Sequence, residues 1–265
     1  MHGTLATMIE RLGDPGISEA SVIPWGCPVP SFGDLLCSTV ATVGLNPSNR
    51  EFVDQTGREL SGQDRRFHTL NSLGLSQWAD VDKKHLQLIL ESCQRYFQNN
   101  PYGGWFNKLE NLLSGVKASY YIGNIRACHL DLVPYATVCK WTELTPGQRS
   151  SLFAVSGNSL GLLLSDSPVK LLVLNGQSVV EQFQKMAGIA LKKRAMRSWS
   201  LPRNSQPGIT GFAYKGVALT IAGVPLKREV LVLGFNHNLQ SSFGVTNQVK
   251  AAIRQWIART SEEVL

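Results

Sequence analysis

Short apolar runs that each end in polar turn residues constrain the fold of this chain most strongly. They lie at 38–45, 127–133 and 169–176, with two further runs, VALTIAG and EVLVLGF, near the end of the chain. Stretches with the apolar spacing of amphipathic helices separate most of them. Strands that alternate with helices predict a three-layer α/β/α domain with a central, mainly parallel sheet of about four strands.

Five stretches are predicted as helices from their apolar spacing, at 81–99, 104–116, 145–166, 178–188 and 246–260. The structure of the remaining segments is predicted from their composition. The Gly- and Pro-rich residues 1–35, with PWGCPVPSFGD, predict an ordered arm packed on the domain. Residues 191–211 concentrate basic side chains and predict an exposed basic loop or hairpin inserted into a single domain that spans 1–265.

Composition limits the class of protein. The 265 residues are 43% hydrophobic, which suffices for one buried core. Lys and Arg outnumber Asp and Glu by 26 to 19, and this net charge of +7 favours nucleic acid as a partner over an acidic small molecule. The sequence shows no signal peptide and no apolar run long enough to cross a membrane, so we expect a cytoplasmic monomer.

The cysteines favour no metal site and no disulfide framework. They show no CxxC pair and no spacing typical of a zinc or iron-sulfur site. We therefore expect reduced thiols, and neither a metal nor a cofactor. The five are Cys27, Cys37, Cys93, Cys128 and Cys139.

Polar side chains follow the predicted strands where the strands end. Asn46 stands in GLNPS, Asp131 in HLDLVP and His237 in GFNHNLQSS. Each residue alone is more typical of a turn or a helix cap than of a functional site. Because functional residues of parallel sheets lie at the carboxyl ends of the strands, the three together predict one site at that edge.

These motifs, in this order, resemble those of the uracil-DNA glycosylase superfamily, and most of all its single-strand-selective monofunctional and mismatch-specific branches. The resemblance rests on Gly44-Leu45-Asn46-Pro47, on a middle strand that ends in polar residue-Leu-x-Pro, and on a late loop that contains His237. It implies a DNA glycosylase that flips a base out of DNA and hydrolyses its N-glycosidic bond.

The resemblance also implies roles for the motif residues. Asn46 would position the attacking water below C1′, and His237 would donate a hydrogen bond to O2 of the departing base. The late loop lacks the proline of the family's His-Pro-Ser. Within that loop we expect phosphate contacts and a side chain that fills the gap left by the flipped base, from Ser241, Ser242, Leu239 and Gln240.

Asp131 departs from the uracil-specific pattern, in which an asparagine pairs with O4 and N3-H of uracil. An ionised carboxylate only accepts hydrogen bonds and would repel O4, whereas the N4 amino group of cytosine suits it. A protonated Asp131 would also donate to N3 and neutralise the departing base. The alternative is that Asp131 only caps the turn at Pro134.

The argument from Asp131 predicts a cytosine-type substrate. Removal of ordinary cytosine would destroy the cell's own genome, so the predicted target is a modified cytosine. Hydroxymethylated or glucosylated cytosine of phage DNA fits this description, which makes antiviral defence by a bacterial enzyme a hypothesis.

The other parts of a glycosylase site are assigned from residue type. Phe52, Phe67 and Tyr135 are candidates to stack on the flipped base. Glu51, Asp54 and Arg66 lie near the first motif and would assist the water or bind a phosphate. The candidate DNA-backbone contacts, with Trp199 among them, are Lys192, Lys193, Arg194, Arg197 and Arg203.

Other functions stay open from the sequence. A uracil or mismatch glycosylase of base-excision repair and a non-catalytic DNA-binding protein of the same fold are the nearest alternatives. GNSLG matches the nucleophile motif of serine hydrolases at Ser159, but that motif needs a strand-to-helix turn and Ser159 falls within a predicted helix. GLNPSN lacks the glycines of a dinucleotide-binding loop.

Overall fold

A computed structural model of the chain describes residues 1–98, 102–202, 208–240 and 245–265. Within these ranges one sheet has the strand order β2-β3-β1-β4-β7-β6-β5. The pairs β2–β3, β3–β1, β1–β4 and β4–β7 are parallel, and β7–β6 and β6–β5 are antiparallel. The strands are β1 (Val40–Gly44), β2 (Ala118–Ser119), β3 (Ile125–Asp131), β4 (Leu171–Asn175), β5 (Lys192–Leu201), β6 (Ile209–Ile221) and β7 (Val224–Phe235).

Helices flank this sheet. They are α1 (His2–Glu10), α2 (Pro15–Glu19), α3 (Leu70–Leu73), α4 (Lys83–Gln94), α5 (Gly103–Leu113), α6 (Pro146–Ser156), α7 (Ser159–Ser165), α8 (Gln177–Ala187) and α9 (Asn247–Ser261). Alternation along β4 shows how they pack: Leu171 and Val173 join the core of α4, α5 and α9, whereas Leu172 and Leu174 join that of α7 and α8.

The prediction of a mainly parallel sheet flanked by helices is confirmed, but the predicted number of about four strands is wrong. The described residues form seven strands. The short β2 and the charged β5 lack the continuous apolar runs from which strands were recognised. The predicted helix at 145–166 is divided in two, because Gly157 adopts a φ of +51° between α6 and α7.

Residues 191–211 are predicted to be a basic loop or hairpin, and their described part is the hairpin rather than a loop insertion: Lys192–Leu201 forms edge strand β5, paired antiparallel with β6. The charged side chains of an edge strand hide the strand signal, because one edge and much of its surface face water. Residues 24–34 form the expected irregular, buried arm, but α1 and α2 precede it within the segment assigned to the arm.

The described residues also bear on membrane and metal sites. In these ranges no helix combines the length and the apolar character needed to span a bilayer. The same ranges contain no group of three or more His, Cys, Asp or Glu side chains placed to hold a metal ion.

Candidate functional site

The carboxyl ends of β1 and β3 form a small pocket. The two strands are parallel neighbours, with Gly44 opposite Asp131, so the loop that follows β1 lies beside the end of β3. The pocket has a volume of about 90 Å³. Its polar side chains are Asn46, Ser48, Glu51, His129 and Asp131, and its aromatic ones are Phe32, Tyr102, Trp105 and Phe106. The structure thus brings together the two strand-end residues predicted from the sequence, Asn46 and Asp131.

The amide of Asn46 is fixed through its nitrogen. Nδ2 donates to the carbonyl of Pro47 at 3.1 Å and to Oγ1 of Thr137 at 3.2 Å, with a longer contact of 3.5 Å to the carbonyl of Tyr135. Among the described residues, none donates a hydrogen bond to Oδ1 of Asn46. This acceptor is therefore free for a water or a ligand in the pocket.

A buried chain of polar contacts supports Asp131. Nε2 of His129 lies 3.4 Å from Oδ1 of Asp131, and Nδ1 of His129 lies 2.7 Å from Oγ1 of Thr42. The Thr42 hydroxyl in turn lies 2.5 Å from the hydroxyl of Tyr120. His129 and Asp131 are two residues apart on one strand and so project from the same face. That spacing was visible in the sequence, but His129 was missed because it lies inside a strand.

Gly44 makes room for this pair. A Cβ atom at position 44 would lie 2.4 Å from Oδ1 of Asp131 and 2.9 Å from Nε2 of His129. Both distances are shorter than real Cβ contacts, so any side chain would displace the carboxylate or the imidazole. The absence of a side chain at Gly44 therefore leaves space for Asp131 and His129 at the end of β3, and the glycine is not part of a phosphate-binding loop.

Glu51 is a buried carboxyl that also lines the pocket. The hydroxyl of Ser48 caps the short 3₁₀ turn Asn49–Glu51 and so sets the position of Glu51. The hydroxyl of Tyr96 donates to the Glu51 carboxylate at 2.9 Å, and Nη1 of Arg66 lies 3.4 Å from Oε2. Burial raises the pKa of Glu51 to about 7 and outweighs the opposing effects of Arg66 and Tyr96.

The predicted stacking residues do not reach the pocket. Phe52, Phe67 and Tyr135 are each 1% exposed and belong to the hydrophobic core, and the Tyr135 hydroxyl donates to the carbonyl of Met8 at 2.9 Å. That prediction is wrong, because aromatic residue type alone does not separate a core ring from a pocket ring. The pocket takes Phe32 from the arm and Trp105 from α5, together with Phe106 and Tyr102.

His237 lies at the same edge of the sheet but does not line the pocket. Its Nε2 donates to the carbonyl of Trp199 at 2.7 Å, and burial lowers its pKa, so the ring is neutral near pH 7. The proton on Nε2 of His237 is thus already donated to the carbonyl of Trp199. The ring is not placed to donate a hydrogen bond beside Asn46 and Asp131. Strand β7 is also separated from β1 by β4.

The loop after β7 contacts the backbone of Trp105, a residue of the pocket, through Gln240. Gln240 accepts from Nδ2 of Asn175 at 2.5 Å and donates to the carbonyl of Trp105 at 3.3 Å. Leu239 is 1% exposed within the core, so the predicted wedge is not presented at the surface. Ser241 and Ser242 lie outside the described residues.

The predicted basic patch lies on β5. Lys192, Lys193, Arg194 and Arg197 are exposed, while Arg203 lies outside the described residues. Strand β5 is four strands from β1, a separation of about 19 Å at ~4.8 Å per strand. Trp199 is not part of the exposed patch, because it is fully buried and packs edge-on against Trp256 at 5.4 Å between ring centres.

Two remaining predicted residues lie away from the pocket. Ser159 is the first residue of α7, is buried, and accepts a hydrogen bond from Arg11 at 2.8 Å. Helix α6 precedes it, so the strand-to-helix turn of a serine hydrolase is not present at Ser159. Asp54 lines the neighbouring cleft, where its carboxylate accepts from the backbone and the hydroxyl of Thr56 at 2.7 Å.

No family model matches the chain, and no curated protein matches it.

Proposed function

We propose that the chain is a monofunctional DNA glycosylase of the uracil-DNA glycosylase type that removes a modified cytosine from DNA. The observation that carries the proposal is the meeting of Asn46 and Asp131 in one aromatic-lined pocket at the ends of β1 and β3. The free amide oxygen of Asn46 suits a water molecule, and the buried carboxyl of Asp131 in the same small pocket suits the polar edge of a base.

The volume of the pocket favours a ligand no larger than a single aromatic ring. At about 90 Å³ it is somewhat smaller than a ~150 Å³ cavity that takes up benzene. A whole nucleotide does not fit such a space, and a flipped pyrimidine enters it only when the walls of the pocket move apart. The rings of Trp105 and Phe106 supply the aromatic surface on which a base stacks.

Three polar side chains of the pocket have roles in the proposed hydrolysis. Oδ1 of Asn46 accepts a hydrogen bond from the water and aims its oxygen at C1′. Glu51 takes the water proton as the O–C1′ bond forms, and the electrons of the breaking C1′–N1 bond leave with the base. The carboxylate of Asp131 accepts a hydrogen bond from the N4 amino group of cytosine, whereas it would repel O4 of uracil.

The partner in this proposal is DNA. The net charge of +7 and the exposed basic side chains of β5 support binding to a phosphate backbone. Excision of a modified base found in phage genomes would make the protein an antiviral enzyme, with uracil excision in repair as the nearest alternative.

A panel of DNA substrates tests the proposal. Single- and double-stranded oligonucleotides would carry uracil, cytosine, 5-hydroxymethylcytosine or its glucosylated form, and alkali would reveal abasic sites. We expect strand cleavage only where cytosine is modified. Cleavage at uracil alone would contradict the role of Asp131, and the absence of abasic sites in all substrates would contradict the glycosylase proposal.

Glu51 gives the reaction a predicted pH dependence. Burial raises the pKa of this carboxyl to about 7, and only the ionised form takes a proton from water. We therefore expect the single-turnover rate to rise about tenfold per pH unit below pH 7 and to level off above it. Glu51→Gln should lower the rate and remove this acidic limb.

The Tyr96→Phe variant distinguishes a role of Glu51 as the proton acceptor from a purely structural role of its carboxyl. The lost hydroxyl donates to the Glu51 carboxylate and lowers its pKa, so the variant should move the acidic limb to higher pH while the rate at alkaline pH is retained. An unchanged pH profile in both variants would show that Glu51 does not act on the water.

A further inference from the structure

A large cleft adjoins the pocket. It has a volume of about 1450 Å³, and Tyr102, with 36% of its surface exposed, lines both spaces. The two are also joined through Glu51, which lines the pocket and is contacted by Tyr96 and Arg66 from the cleft. The cleft is therefore the large space that lies next to a ring held in the pocket.

The lining of this cleft combines hydrogen-bond donors with acceptors. Four arginines face three carboxylates and two glutamine amides. Two of these arginines are already paired, Arg66 with Glu51 at 3.4 Å and Arg95 with Glu91 at 3.6 Å. Burial, with a smaller effect of Arg65, lowers the pKa of His68 to about 4, so its ring adds no charge near pH 7.

This balance favours hydroxyl groups over phosphates. A hydroxyl both donates and accepts hydrogen bonds, so it uses arginines, amides and carboxylates alike. A phosphate only accepts, and the carboxylates of Asp54 and Asp64 would repel it. The volume exceeds the ~300–1,000 Å³ of ordinary small-ligand pockets, which leaves room for a sugar-sized group.

The geometry points to a second subsite: the cleft binds a hydroxyl-rich substituent of the sugar class that is carried on the base held in the pocket. This inference rests on the proposed glycosylase function and specifies its substrate as a base bearing a sugar. The pocket holds only a ring, so a substituent of this size has to lie outside it.

Gln63 and Asp64 provide the test. Both are exposed residues of the short turn Gly62–Asp64 and line the cleft but not the pocket. In the Gln63→Ala/Asp64→Ala variant we expect kcat/KM for DNA with glucosylated hydroxymethylcytosine to fall about tenfold, as for two lost hydrogen bonds. Excision of 5-hydroxymethylcytosine should not change.

A matched pair serves as the control. Gln77 and Asp80 are exposed, contact each other at 3.1 Å, and line neither cavity. Gln77→Ala/Asp80→Ala should leave both activities unchanged. Equal losses on both DNAs in the Gln63/Asp64 variant would show that the cleft binds the DNA strand and would overturn the inference, as would a variant that loses neither activity.

A binding measurement separates this inference from the glycosylase proposal. Calorimetry would compare the nucleoside of glucosylated hydroxymethylcytosine with that of hydroxymethylcytosine. Tighter binding of the glucosylated nucleoside, lost in the Gln63/Asp64 variant, supports the subsite even if no DNA is cleaved, and the proposed activity alone would then fail. Equal binding of the two nucleosides overturns the subsite and leaves the glycosylase proposal standing.

Discussion

Replacement of Asn46 by alanine is expected to slow base release about 100-fold or more, while folding and DNA binding are retained. Oδ1 of Asn46 is an acceptor in the pocket to which no described residue donates, and alanine leaves the water without this partner. Single-turnover cleavage of the best substrate in the panel, followed by alkali, measures the effect. The loss should fall on the rate of the chemical step rather than on substrate affinity.

Asn49→Ala is the matched control for Asn46→Ala. Asn49 lies three residues further along the same loop, where its amide donates to the carbonyl of Val138 at 3.2 Å, and it does not line the pocket. This variant should retain nearly full activity. If both variants were fully active, the assignment of the site to the end of β1 would be wrong.

Asp131→Asn is expected to change base preference from modified cytosine toward uracil by about 100-fold or more. The asparagine amide donates to O4 and accepts from N3-H of uracil, whereas an ionised carboxylate has no proton to donate to O4. The two side chains have nearly the same shape, so the close fit against Gly44 is preserved. The ratio of kcat/KM for the two bases measures the change.

Two further measurements make the Asp131 result decisive. An unchanged thermal midpoint would show that the variant folds as the parent does. Asp80→Asn, at an exposed position outside the pocket, should keep the parent's preference. A variant at Asp131 that lost activity on both bases equally would indicate a structural role for the carboxylate beside His129.

Local pattern was sufficient for much of the fold and for part of the site. The apolar runs of β1, β3 and β4 are buried on both faces of the sheet, and such strands stand out in a sequence. Their polar ends pointed to Asn46 and Asp131, because parallel neighbours bring their carboxyl ends to one edge. The charged β5 gave no such signal, and for β6 only the run VALTIAG near its end was visible, because the rest of these strands is held by antiparallel pairing and not by an apolar run.

The choice among similar residues needed the packed structure. Phe52 and Trp105 are both aromatic residues near predicted elements, yet one is in the core and the other lines the pocket. His237 followed a strand as expected, but its ring is committed to the carbonyl of Trp199. His129 had no local signal except its two-residue spacing from Asp131.

The sequence by itself determined an alternating strand-and-helix chain and the polar ends of β1 and β3, because these depend on neighbours along the chain. Only the tertiary structure decided that Glu51 is a buried carboxyl with a pKa near 7, that His129 supports Asp131, and that Tyr102 lies between a pocket and a cleft. Burial, electrostatics and cavity shape arise from residues far apart in sequence, so no local pattern contains them.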